Sequence, residues 1–188
     1  MVTKERFDGA ATFTGFLQAA EANADLWRAV YERARVPEDL VARARSLAGP
    51  WYMLVILEDW CGDAVNTTPY LARLAEQVPA MELRVVERDR NPDLMDAHLA
   101  ETGARAIPVV MILDAHLQEV GWWGSRPGEL AAWVRSPAAQ GMSKDDRYRE
   151  LRRWYARDRG RTTLEEVLQI MESAAVRTEE RELEPACA

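Results

Sequence analysis

The stretch Trp51-Tyr52-Met53-Leu54-Val55-Ile56-Leu57-Glu58-Asp59-Trp60-Cys61-Gly62-Asp63-Ala64 decides the fold. From Tyr52 to Leu57 it is apolar or aromatic without alternation, the pattern of a short strand buried on both faces. Glu58, Asp59 and Trp60 end that run. From residue 62 to residue 77 the apolar positions Val65, Leu71 and Leu74 recur at helical spacing, with Pro69 inside the run as an expected kink. Cys61 therefore falls where a buried strand hands over to a helix.

Outward toward the C-terminus, Glu82 to Glu87 reads as a strand, Pro92 to Glu101 as a helix and Val109 to Leu113 as a third, strongly apolar strand. Residues 117 to 123 form a fourth strand, turning antiparallel through Asp114-Ala115-His116, and Pro127 to Val134 closes with a helix. The order β-α-β-α-β-β-α implies an α/β fold: a central mixed sheet of about four strands with helices on both faces. Outward toward the N-terminus, residues 12 to 34 read as two helices or one broken helix carrying Phe13, Phe16, Leu17, Leu26, Trp27, Val30 and Tyr31. Pro37 opens another, Glu38 to Leu47, stopped by Gly49-Pro50, so the leading segment is expected to be all helical. Beyond Pro137 the chain is charged and helical again, over Asp145 to Arg157 and Thr163 to Ala174, with a break at Gly160. Thr163 and Glu166 have the spacing of a capping box. Arg177 to Ala188 lack periodicity and are expected to be mobile. The expected division is a helical extension over 1–50, the α/β domain over 51–136, and a charged helical extension with a mobile tail over 137–188.

The chain has 188 residues, of which 48% are hydrophobic, enough for one sizeable core. A net charge of -7 opposes nucleic acid as a partner, because phosphate contacts need clustered cations on a net-positive face. No apolar run has the length of a membrane span, and the charged first residues Lys4, Glu5, Arg6 and Asp8 do not read as a secretory signal, so a cytoplasmic location without membrane attachment is expected. Two cysteines, Cys61 and Cys187, are too few for a disulfide framework, and neither they nor His98 and His116 have metal-ligand spacing. No metal and no cofactor are implied.

Any chemistry rests on the thiol of Cys61. At a helix start the unpaired N–H groups and the helix dipole favour the thiolate. Gly62 allows a tight turn with no side chain over the sulfur, and Trp60 is placed to flank it. Glu58, Asp59 and Asp63 act in the opposite direction if they lie close in space.

The loop Trp60-Cys61-Gly62-Asp63 resembles the Trp-Cys-Gly-Pro loop of thioredoxins. Three further landmarks agree in order and spacing: Pro69, eight residues after the cysteine, at the family's helix-kinking proline; Ala106-Ile107-Pro108 before an apolar strand, like its cis-proline segment; and Gly124, sixteen residues later, at the glycine of the final strand. The resemblance covers roughly Trp51 to Arg135 and points most closely to a bacterial thioredoxin-like group with a Trp-Cys-Gly-Asp loop. It implies a thioredoxin-like fold, with Cys61 as nucleophile, Trp60, Gly62, Asp63 and Ala64 as its loop, and Ile107 and Pro108 as the edge that receives an extended substrate. Two departures accompany it. Ala64 stands where the resolving cysteine belongs, and Val55 stands where the family has a buried acid. Release of a mixed disulfide from within the motif is thereby excluded.

Monothiol exchange is the expected function: an oxidoreductase-type reaction in which Cys61 exchanges with protein or glutathione disulfides and an external thiol resolves the product. Cys187, in the tail, is the candidate resolving thiol within the chain. A non-catalytic thioredoxin-fold module that holds an extended partner segment is the alternative, and iron-sulfur ligation of the monothiol-glutaredoxin kind ranks last. Trp122 and Trp123 read as strand residues, one packed inward and one half exposed, or as a ligand surface. Arg126 reads as a solvated loop residue or an anion site, and Trp154-Tyr155 as the packing face of the charged helix or a protein-binding face.

Overall fold

The structure, a computed structural model, describes residues 2–183, with side chains placed for residues 2–178. Cys187 lies outside the described residues. In chain order the elements are α1 (Lys4–Gly9), β1 (Ala11–Thr12), α2 (Phe13–Ala19), α3 (Ala24–Arg33), α4 (Glu38–Ser46), β2 (Trp51–Leu57), α5 (Gly62–Gln77), β3 (Met81–Glu87), α6 (Pro92–Asp96), β4 (Val109–Leu113), β5 (Glu119–Gly124), α7 (Gly128–Arg135), α8 (Pro137–Gln140), α9 (Lys144–Asp158) and α10 (Arg161–Leu183).

Five strands form one mixed sheet in the order β1-β3-β2-β4-β5. β2 lies at its centre, parallel to β3 and antiparallel to β4, with Val55 opposite Val85 on one side and Val110 on the other. A parallel pair needs a crossover, and α5 supplies it. The central position explains the unalternating composition of β2: every residue but Tyr52 is buried. β5 pairs antiparallel with β4 at one edge, and β1 pairs antiparallel with β3 at the other.

That fifth strand corrects the reading of the leading segment as all helical. Ala11 and Thr12 pair with Val85 and Arg84, and Thr12 also caps α2 by accepting the N–H of Gly15 at 3.0 Å. Two exposed residues cannot show a strand period, so the pattern carried no signal of it. Three further expectations are corrected. α6 stops at Asp96, short of Glu101. Thr163 is inside α10, with its side chain fully buried, so it caps nothing. Residues 177–183, where no periodicity marked a helix, continue α10.

A single hydrophobic core runs from Val2 to Ala174 and takes side chains from the helices on either side of the central strands in sequence: Trp27 of α3 and Leu164, Val167, Leu168 and Met171 of α10 are all fully buried. A satellite cluster forms apart from it, with Leu130 of α7 and Leu151 and Tyr155 of α9 at its centre and Trp133, Val134 and Trp154 packed around them.

Candidate functional site

The site is assembled at the C-terminal end of β2. The chain turns there with the Cys61 N–H donating to the Glu58 carbonyl at 3.1 Å, and Cys61 becomes the extended N-cap residue of α5. The first-turn N–H groups of α5 are left without helical partners, and those of Ala64 and Asp63 face the sulfur. Across from it the Ile107–Pro108 peptide is cis. Its Ile107 carbonyl oxygen lies 3.4 Å from the Cys61 sulfur and accepts the thiol hydrogen. Gly124 belongs to the same construction. It stands opposite Val109, and a Cβ there would collide with the Pro108 carbonyl oxygen, so only glycine lets β5 run past the proline.

Cys61 is 7% exposed and Ala64 is fully buried in the core. Burial pushes the thiol pKa up. The N–H groups of Ala64 and Asp63 and the Arg126 guanidinium pull it down, the Asp63 carboxylate pushes it up, and the balance is a thiol raised above its ordinary value. The helix start therefore does not win against burial.

The three acids of the loop have separate fates. Glu58 accepts the N–H of Asp89 at 2.9 Å. Asp59 accepts the N–H groups of Glu21 and Ala22 at 2.9 and 2.8 Å with one carboxylate oxygen, while its carbonyl accepts the Trp27 indole N–H at 2.8 Å. Of the three, Asp63 acts most on the thiol. Its two oxygens are taken by Arg126, at 2.5 Å, and by the Tyr155 hydroxyl of α9, at 2.8 Å. Trp60 is half exposed, with the Arg88 guanidinium 5.0 Å from its ring centroid.

Arg126 is thus paired and largely covered, a correction to its reading as a solvated loop residue. Trp123 is buried and Trp122 stands 36% exposed. The Trp123 indole donates to Glu166 at 2.6 Å, and the same carboxylate accepts the N–H of Gly128 at 2.8 Å, so Glu166 ties α10 to the start of α7 instead of capping its own helix. Trp122, Trp123 and Arg126 line an open groove of about 570 Å³ together with Gln169, Ile170 and Arg177.

His98 is buried, with one ring nitrogen 2.6 Å from the Leu94 carbonyl and the other 2.9 Å from Glu119. Burial works against its charge, but Glu119 and the Leu94 carbonyl outweigh it and raise its pKa. With an acceptor facing each nitrogen, His98 bridges the end of α6 to β5. His116 lies exposed in the β4–β5 turn. Among the described residues no cluster of His, Cys, Asp and Glu could hold a metal ion, and no helix is long and apolar enough to cross a membrane.

Sequence reasoning missed Tyr155 as part of the site. Its inward orientation was legible from Leu151 and Tyr155 at helical spacing in an otherwise charged helix, but its partner lies 92 residues earlier and left no local mark.

Comparison with known proteins agrees with this geometry. A protein of unknown function from Pseudomonas aeruginosa shares the fold with a TM-score of 0.73 at 23% identity, over 93% of this chain and 99% of its own. An HIV epitope scaffold shares it with a TM-score of 0.67 at 20% identity, over 92% of this chain and 99% of its own. At such identities the likeness is one of fold alone. Among curated proteins none matches the chain. The sequence model of the thioredoxin family matches residues 10–157, from just before β1 to the last turn of α9 and so beyond the Trp51 to Arg135 segment that carries the motifs. On that match, the chain belongs to the thioredoxin family.

Proposed function

We propose that this protein is a monothiol thiol-disulfide exchange protein acting through Cys61. The observation that carries the reading is the placement of the Cys61 sulfur at the start of α5, 3.4 Å from the Ile107 carbonyl at the cis-proline edge. That edge offers main-chain groups to an extended disulfide-bearing segment beside the nucleophile. In the first step the Cys61 thiolate attacks the glutathione sulfur of a mixed disulfide between glutathione and a protein, and the protein thiolate leaves. The S–S bond breaks, a new one forms to Cys61, and the departing thiolate takes up a proton. Because Ala64 offers no second thiol, a glutathione thiolate resolves the adduct, forming glutathione disulfide and regenerating Cys61. The net exchange consumes one thiol and yields one, with no other oxidant or reductant.

A raised thiol makes this chemistry slow near neutrality and increasingly fast as pH rises. The test uses a Cys187→Ser background, exposed to glutathione disulfide across a pH series and read by intact mass. A single adduct on Cys61, formed faster with rising pH beyond the point where free cysteine levels off and released by reduced glutathione, is expected. Failure of the folded protein to form the adduct at any pH, while the unfolded chain forms it readily, would sink the exchange reading. The low exposure and raised thiol of Cys61 favour a second reading, a module that holds an extended partner segment at the same edge without exchange. That outcome would leave it standing.

A further inference from the structure

We propose that α9 is a latch over the active-site loop, closed by the hydrogen bond from Tyr155 to Asp63, and that substrate must displace it to reach Cys61. The inference rests on Cys61 being the reactive thiol and names how access to it is controlled.

Four observations converge. Tyr155 is 5% exposed and reaches from α9 to the carboxylate two residues beyond a thiol that is itself 7% exposed. The body of α9 is attached differently from every helix of the main core. Its buried side chains, Leu151 and Tyr155, belong to the satellite cluster with Leu130 of α7, and Trp133, Val134 and Trp154 complete the packing. The ion pairs Arg149–Asp146 and Arg153–Glu150 lie within α9 and anchor it to nothing. Finally, the chain turns from α9 into α10 through Arg159 and Gly160, both in the left-handed region with φ of 53° and 76°. Gly160 packs so closely on the Tyr70 ring of α5 that no Cβ fits. The hinge end is fixed to the core, while among the described residues the helix beyond it is held by a small apolar cluster and one hydrogen bond to the active-site loop.

Such a helix belongs to the low-stability end of a fold's local opening reactions, and displacing it leaves the main core intact. Arg126 holds the other Asp63 oxygen at 2.5 Å, so release of Tyr155 need not leave the carboxylate unpaired.

The test separates access from acidity. In the Cys187→Ser background, Cys61 is labelled at one pH with iodoacetamide and with a maleimide carrying a bulky polyethylene glycol chain. Both reagents consume the same thiolate, so the ratio of their rates is independent of the thiol pKa. Tyr155→Phe keeps the packing and removes the hydroxyl, and it is expected to raise the bulky-to-small ratio about tenfold, the scale of one hydrogen bond to a charged group. Leu151→Ala, which loosens the satellite cluster without touching the hydroxyl, is expected to move the ratio in the same direction, and circular dichroism checks that both variants are folded. An unchanged ratio in both folded variants would overturn the latch. So would a Cys61 that neither reagent labels in the Tyr155 variant. A raised ratio with no glutathione adduct in any variant would uphold the latch and remove the exchange reading alone.

Discussion

Two flanks of the chain hold the two ends of the active-site loop, and they do so with opposite construction. On the N-terminal side, Asp59 accepts two main-chain N–H groups from the turn between α2 and α3, and its carbonyl accepts the indole of Trp27. That indole is fully buried and packs edge-on against Phe16 with ring centroids 4.9 Å apart. On the C-terminal side, Asp63 is held by the Arg126 and Tyr155 side chains, and Tyr155 arrives on a helix seated in a satellite cluster. One end of the loop is built into the core and the other is fastened by two side chains from separate elements. The C-terminal flank also reaches the main core through α10, so the contrast lies between helices: α3 supplies core side chains and fixes its end of the loop, whereas α9 sits in the satellite cluster and holds its end by a side-chain clasp.

The largest expected effect breaks the fixed flank. Trp27→Ala removes a fully buried indole together with its hydrogen bond, and a loss of about 3–5 kcal/mol in unfolding free energy is expected by urea titration. A loss under about 1 kcal/mol would mean that α3 is not part of the cooperative unit. Asp59→Ala, on the same flank, leaves the N–H groups of Glu21 and Ala22 without their partner and is expected to cost about 1–3 kcal/mol. On the opposite flank Tyr155→Phe keeps the ring in its cluster, and about 1.5 kcal/mol is expected from the same titration, with the main change appearing in the labelling ratio of Cys61. A stability loss in Tyr155→Phe equal to that of Trp27→Ala would erase the contrast between the flanks.

The sequence shows the framework of this comparison but not its fastenings. β2, α5, β3 and β4 were legible because each buries a long uninterrupted or strictly periodic face. The spacing of Cys61, Pro69, Pro108 and Gly124 was legible only through the resemblance to thioredoxins, and the structure shows part of what it encodes: a cis-proline whose carbonyl leaves no room for a side chain at Gly124. What escaped was short or remote. β1 is two exposed residues, and the Thr163/Glu166 spacing mimics a cap although Glu166 is committed to Trp123 and Gly128 across the molecule. The sequence also places three acids around the thiol as equals. Only tertiary contacts reveal that the main chain engages Glu58 and Asp59, leaving Asp63 to act on the sulfur.

That last distinction supports the smallest and sharpest prediction. Burial is the main cause of the raised Cys61 thiol, and the Asp63 carboxylate adds to it, whereas Asp59, turned to the main-chain N–H groups of Glu21 and Ala22, is not among its leading causes. Asp63→Asn removes the nearby negative charge and frees Arg126 from its ion pair, and both changes favour the thiolate. The thiol midpoint, followed by the pH dependence of iodoacetamide labelling in the Cys187→Ser background, should therefore move down in Asp63→Asn and stay in place in Asp59→Asn. The linked stability has a definite sign. A thiol whose folded pKa is raised keeps its proton after the unfolded chain has released it, so stability is full below the ordinary cysteine pKa of about 8.5 and falls as pH rises toward the folded value. Asp63→Asn narrows that window, and its alkaline loss of stability should be smaller than that of the parent. Equal midpoint shifts in the two variants would mean that the thiol feels only the net charge of the loop, and the two flanks would then differ in mechanics but not in their hold on the chemistry.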